Sequence, residues 1–318
     1  MKRSTIAVGT AVMLTLAACG SRESAFSVAT SVSAGAPSPA GATQVRSLPG
    51  TASDTSCGDP TASYRPSTAS GPGLAAIRAR GRLIAGVDQN TFQFGYRNPV
   101  SGNLEGFDID IARAVAQAVF GRADAIQFRV VNSANRIDAV KNHDVDIVVE
   151  TMTMNCARWR DVAFSSVYYQ AGQRVLVAKD SKATSMASLG GRRVCAAAGS
   201  TSIQNIVDAP SKPVGIQVPG WTDCLVMMQQ NQVDAISTDD TILAGLAAQD
   251  PFTKIVGPPM TSEPYGIAVA KDHLDLVRFV NSVLDRMRSD GQWATIYNHW
   301  LASLLGGSAI PPTPKYRD

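Results

Sequence analysis

The chain has 318 residues, 45% of them hydrophobic, with 29 basic and 26 acidic side chains and a formal net charge of +3. That length accommodates one large domain or two small ones. The basic residues are scattered without runs, which argues against a nucleic-acid partner.

The N-terminus opens with the basic stretch MKRST and continues with a mostly apolar run from Ile6 to Leu16. The run is too short to cross a bilayer, so residues 1–18 read as a signal peptide. It closes on Leu16-Ala17-Ala18-Cys19, the form of a bacterial lipobox, in which the Cys19 thiol receives a diacylglyceryl group and becomes the first mature residue. The expected location is the extracytoplasmic face of the cell membrane, with lipid as the anchor. From residue 19 to residue 73 the chain is rich in Ser, Ala, Thr, Gly and Pro, and is expected to be a flexible spacer. Ordinary globular composition begins near Leu74 and runs to about Leu305, and residues 306–318 read as a tail.

With Cys19 assigned to lipid, Cys57, Cys156, Cys195 and Cys224 form an even set suited to two disulfides in an oxidising compartment. Four cysteines allow three connectivities; proximity in sequence favours Cys195–Cys224, which leaves Cys57 for Cys156. A metal site is not expected. There is no C-x-x-C, and His143, His273 and His299 are far apart along the chain.

Two pairs of segments repeat. "LAAIRARGRLIAGVD" from Leu74 resembles "MASLGGRRVCAAAGS" from Met186, and "VKNHDVDIVVETMT" from Val140 resembles "MMQQNQVDAISTDD" from Met227. Each reads as a helix or turn, then a strand ending in a polar turn. The alternation predicts an α/β fold with largely parallel sheets, and the duplication predicts two similar lobes. Ligands of such sheets bind beyond the carboxyl ends of the strands. Those ends carry Asp88 to Thr91, Asn132 to Arg136, Thr151 to Arg158, Gly199 to Ser202 and Thr238 to Asp240.

In "GFDIDIARAVAQAVFG", residues 106–121, Ile109, Ile111, Ala112, Val115, Ala116 and Val119 recur at helical spacing, and Asp108 is placed to cap the helix. Phe107 sits at the helix start, where it either covers a ligand or anchors the core. The chain is expected to cross between lobes near Tyr169 to Gly172 and again near Ser262 to Gly266. That gives lobe one as 74–170 plus 263–305, and lobe two as 171–262.

Together, "GRLIAGVD", "LEGFDIDIARAVA", "VDIVVETMTMNCARWRDVAFSSVYYQAGQ", "CAAAGSTS", "VDAISTDD" and "EPYGIAVAKD" resemble the family 3 extracellular solute-binding proteins for polar amino acids, and more narrowly the actinobacterial glutamate/glutamine-binding lipoproteins of ABC transporters. The resemblance implies a type II periplasmic-binding-protein fold with the ligand between the lobes. It places Arg158 on the ligand α-carboxylate, a role suited to a guanidinium. Thr153 would add a hydroxyl and Thr151 a backbone N–H, while the Gly199-Ser200-Thr201-Ser202 turn would face the carboxylate from lobe two. Asp239 would hold the α-ammonium, with Asp240 its neighbour and rival. Arg136 would meet a distal carboxylate, which orders the ligands as glutamate, aspartate, then asparagine or glutamine. Arg97 is a lesser second cation, and Asp88 could instead contact the ammonium or an amide. Arg160 is expected at the surface.

The resemblance implies binding without chemistry and no cofactor. The expected partner is an ABC permease with a separate ATPase, since the chain has no Walker A sequence. A transmembrane sensor is the alternative partner, and the protein is expected to act as a monomer. A dehydratase-like enzyme is the rival from another class; Glu150, whose strand alternation should turn it away from the cleft, is the sole carboxylate suited to it.

Overall fold

A computed structural model describes residues 37–48, 54–307 and 310–318. The signal peptide and Cys19 lie outside them. Among the described residues, no helix is long and apolar enough to cross a membrane.

Two sheets organise the chain. The first runs Ile126–Val130, Leu83–Val87, Ile147–Val148, Ala268–Val269, Ala163–Phe164 across its width. The second runs Thr43–Val45, Val214–Val218, Arg193–Ala197, Ala235–Asp239, Gln173–Ala178, Thr253–Val256. Each contains three adjacent parallel strands, as strand–helix–strand units produce. The strands that enter from the other lobe, Ala268–Val269 and Gln173–Ala178, pair antiparallel. The sheets are therefore mixed, where the repeat alone suggested largely parallel ones. Each sheet has its own apolar core: Leu83, Ile109, Ile111, Val115 and Val280 in the first, Val194, Ile206, Ile236 and Leu243 in the second.

Between the sheets, Tyr169–Ala171 and Glu263–Tyr265 pair antiparallel as a two-stranded ribbon, with Tyr169 opposite Tyr265. Helix Leu274–Ser289 then packs back on the first lobe through Leu276, Val280, Val283 and Met287.

The stretch read as a spacer is structured in part. Thr43–Val45 adds an antiparallel edge strand to the second sheet. Residues 54–73 lie on the first lobe: Ser63 Oγ donates to Phe164 O at 2.6 Å, and Trp159 Nε1 donates to Pro60 O at 2.8 Å. The C-terminal segment joins them, since Lys315–Tyr316 pairs in parallel with Ala62–Ser63. Arg317 stacks its guanidinium over Trp159 at 4.1 Å from the ring centroid. Polar composition concealed these contacts because each is made to a partner about a hundred residues or more away. Both disulfides form in the expected pairing, Cys57–Cys156 and Cys195–Cys224. The second joins strand Arg193–Ala197 to helix Trp221–Gln229 inside the lobe-two core.

Candidate functional site

The carboxyl ends of the central strands of both sheets meet at a buried seam beside the ribbon. Arg158 reaches it from the short helix Cys156–Trp159, whose start is fixed by Asn155, whose side chain accepts the Arg158 N–H at 2.9 Å. Its Nη1 donates to Thr153 O at 2.7 Å, and its Nη2 donates to Gly199 O of the second lobe at 3.2 Å. Burial, and the like charge of Arg136, bring its pKa down to about 9.

Glu263, from the ribbon, sits between the lobes and is 3% exposed. Its Oε2 accepts from Thr153 Oγ1 at 2.6 Å and from Thr201 Oγ1 at 3.0 Å, and its Oε1 accepts from Thr261 Oγ1 at 2.7 Å. Thr153 and Thr201 stand on opposite lobes, 3.5 Å apart between hydroxyls. In the sequence, "EPYG" marks only the expected crossing and does not single out Glu263, although a carboxylate at the point where the chain re-enters lobe one lies near both lobes.

Asp239 ends the strand Ala235–Asp239 and is 4% exposed. Its Oδ2 accepts from Tyr265 Oη at 2.6 Å, whereas its buried Oδ1 has no hydrogen-bond partner among the described residues. Burial, reinforced by the Glu263 charge, raises the carboxyl well above the usual range. Asp240 points elsewhere, accepting from Thr241 N and Gly172 N at its own helix start.

A second polar group lies in lobe one. Arg136 Nη1 donates to Glu150 O at 2.6 Å and to Glu150 Oε2 at 2.9 Å, and its buried Nε has no partner among the described residues. Glu150 therefore faces Arg136, contrary to the alternation argument: Thr151, at φ +40°, breaks the strand before alternation applies. Asp108 Oδ2 accepts the Thr151 N–H at 2.9 Å and its Oδ1 accepts from Tyr168 Oη at 2.9 Å. Two expectations are corrected here. Asp108 lies within helix Phe107–Phe120 and does not cap it, and the Thr151 amide is committed to Asp108, which removes it as a ligand donor. Burial holds Glu150 up to about 8 and Asp108 to about 7.

Other expected contacts are used locally. Asp88 accepts from Thr91 Oγ1 at 2.5 Å and from Gln89 N at 2.7 Å, closing its own loop. Ser200 caps helix Thr201–Asp208, accepting from Ile203 N at 3.2 Å and donating to Ala197 O at 2.7 Å. Phe107 is fully buried among Phe94, Tyr168, Tyr169 and Trp293, which makes it a core anchor and not a ligand cover. Arg97 is held at the surface by Gln89 and Gly102 O, and Arg160 pairs with Asp54. The seam thus brings together Arg158, Thr153, Thr201 and Asp239, with Arg136 behind them.

Two α/β lobes, a connecting ribbon and a buried polar seam between strand ends define a type II periplasmic-binding-protein fold, and solved structures of that kind superpose on it. A cysteine-binding protein from Campylobacter jejuni matches with a TM-score of 0.71 at 26% identity, over 74% of this chain and 96% of the other. An ancestral arginine-binding protein bound to glutamine matches with a TM-score of 0.67 at 31% identity, over 72% and 99%. The chain belongs to the bacterial extracellular solute-binding proteins of family 3, whose pattern matches residues 83–303. It is 41% identical over 229 residues to the glutamine-binding protein GlnH of an ABC transporter of Bacillus subtilis, covering 72% of this chain and 84% of that one. It is 30% identical over 254 residues to the glutamate-binding protein GluB of Corynebacterium efficiens, covering 75% and 82%. These relatives are binding proteins, not enzymes.

Proposed function

We propose that the chain is a lipid-anchored binding protein that delivers glutamate and aspartate, and more weakly asparagine or glutamine, to an ABC permease. The observation that carries the reading is the buried Arg158 guanidinium on one lobe and the buried Asp239 carboxyl on the other, the latter with an oxygen that has no partner among the described residues. A zwitterion complements that pair: its α-carboxylate takes the guanidinium and its α-ammonium supplies the donor that Asp239 Oδ1 lacks. Burying a carboxylate without a counter-charge is costly, so lobe closure favours a molecule that brings its own cation. Exclusion of water then strengthens each charged contact.

The side chain of the ligand extends toward Arg136. Its Nε, unpartnered among the described residues, supports a distal acceptor there, while the adjoining Glu150 takes its Nη1. Names borne by the relatives, glutamine-binding and glutamate-binding, support the same size class. The anchor is Cys19, placed by the lipobox at the membrane surface, and the permease with its separate ATPase recognises the closed form.

The test is thermal unfolding of the purified chain against a panel of amino acids. A ligand present at about a hundred times its dissociation constant adds roughly 2.7 kcal/mol of stability. Glutamate and aspartate should give the largest shifts, Arg158→Ala should abolish all shifts, and Arg136→Ala should remove the preference for acidic side chains. A largest shift with glutamine or a basic amino acid would overturn the pocket assignment. Absence of any shift would overturn the binding role.

A further inference from the structure

The fold brings two of the three histidines together at the pole of lobe one opposite the seam. His143 follows helix Arg136–Lys141 and precedes strand Ile147–Val148, while Asp272 and His273 lie between strand Ala268–Val269 and helix Leu274–Ser289. The two strands are antiparallel neighbours, so both connections emerge at the end of the sheet away from Glu150 and Thr151. His143 Nε2 stands 3.3 Å from Asp272 Oδ2, and the imidazoles of His143 and His273 lie 4.9 Å apart between centroids at a 44° tilt. One ligating atom from each of the three residues falls within 4.8 Å of the others.

We infer that His143, Asp272 and His273 form a binding site for a divalent transition-metal ion. Bonds of about 2.0–2.2 Å to a tetrahedral zinc ion place ligand atoms roughly 3.4 Å apart. The His143–Asp272 separation already meets that spacing, and small side-chain rotations bring His273 to it. Two imidazoles with one carboxylate suit Zn2+, Ni2+ or Cu2+, and are a poor set for Mg2+ or Ca2+, which take oxygen ligands. The side chains of His143 and Asp272 are 49% and 64% exposed, so the remaining coordination positions face solvent.

A plain ion pair accounts for less of this geometry. An exposed ion pair contributes little to stability and leaves the second imidazole without a role. A metal ion, in contrast, draws both imidazoles and the carboxylate to one point.

The backbone around the cluster is independently fixed. His143 holds a left-handed φ of +57°, and its N–H donates to Val140 O at 3.1 Å. The Asp146 carboxylate beyond it is taken by Ile84 N and Arg80, and so does not compete for the ion. His273 is the first residue of its helix cap but makes no capping bond with its side chain, which leaves the ring for another use. Gly73 allows that ring to lie against the chain, because a Cβ there would stand 2.8 Å from His273 Cγ.

Titration calorimetry of the full chain, carrying no added histidine tag, tests the assignment with Zn2+ and Ni2+. Saturable binding of one ion per chain is expected, weakened at least about tenfold in His143→Asn and in Asp272→Asn, as loss of a ligand requires. Asparagine tolerates the left-handed backbone, so His143→Asn should fold normally. His299→Asn should leave the affinity unchanged, and glutamate binding should be the same with and without the ion. Electron paramagnetic resonance of the Cu2+ form should show coupling to two imidazole nitrogens in the native chain and to one in His143→Asn. Either the absence of saturable binding or equal affinities in the native chain and both variants would overturn the site.

Discussion

A hydroxyl carries one proton, and at the seam two of those protons are spent on Glu263. Thr153 and Thr201 both donate to its Oε2, so an α-carboxylate seeking the same hydroxyls must compete with a charge built into the ribbon. Like charges about 4–5 Å apart repel by roughly 3–4 kcal/mol at the effective dielectric of a partly buried site. Glu263→Gln should therefore tighten glutamate binding, by about tenfold or more in titration calorimetry; weaker binding would show that Glu263 assists closure instead. Asp239→Asn should have the opposite sign. Removing one partner of a buried charge pair costs about 2–5 kcal/mol, so glutamate binding should fall at least about thirtyfold while the melting temperature without ligand is kept or raised. Arg158 and Asp239 were singled out through the resemblance of the segments that carry them, and the structure sets both in the seam. Glu263, Tyr265 and Glu150 were not, because their importance comes from what the crossing chain sets beside them.

Among the elements, the turn before helix Thr201–Asp208 controls how closely the lobes meet. Gly199 has φ +75°, and a Cβ there would stand 2.7 Å from Ala134 Cα and from Ser133 O on the other lobe. Gly199→Ala should weaken glutamate binding by at least about tenfold and enlarge the radius of gyration in solution scattering with ligand present. Unchanged scattering would mean that the lobes meet elsewhere. The two disulfides act on different elements. Cys57–Cys156 closes 99 residues and pins the start of the Arg158 helix, whereas Cys195–Cys224 closes 29. On the chain-entropy model they contribute about 4.7 and about 3.6 kcal/mol. Chemical denaturation of Cys57→Ser/Cys156→Ser should show the larger loss of stability, together with weaker ligand binding that Cys195→Ser/Cys224→Ser does not share. Strands, helices and their duplicated order were readable from periodicity, since each is local. The edge strand Thr43–Val45 and the pairing of Ala62–Ser63 were hidden, because two or three residues in a Ser/Ala/Pro-rich stretch carry no period and are held by distant partners.

For the molecule as a whole, lobe one buries Glu150, Asp108 and Asp88 around the single guanidinium of Arg136. Burial raises all three carboxyls, two of them to about 8 and about 7, so the folded chain holds protons that the unfolded chain has released by neutral pH. For acids shifted upward, the stabilisation is complete below the ordinary carboxylate range and is lost as pH rises through the folded values. Stability should decline between about pH 4.5 and pH 8, by up to about 1.4 kcal/mol per pH unit for each extra proton held. Melting temperatures measured across that window should fall, and Asp108→Asn should flatten the slope; a flat native profile would mean that Arg136 keeps the carboxyls ionised.

The N-terminal segment also changes what kind of hinge this is. One end of it is stitched to the outer edge of the lobe-two sheet at Val45, and the other is welded to lobe one at Cys57. Twelve peptide steps separate those fixed points, a span of at most about 40 Å when taut. The ribbon is one connection between the lobes, and the chain between Val45 and Cys57 is another. A stretch that composition marks as slack is fastened to a different lobe at each end.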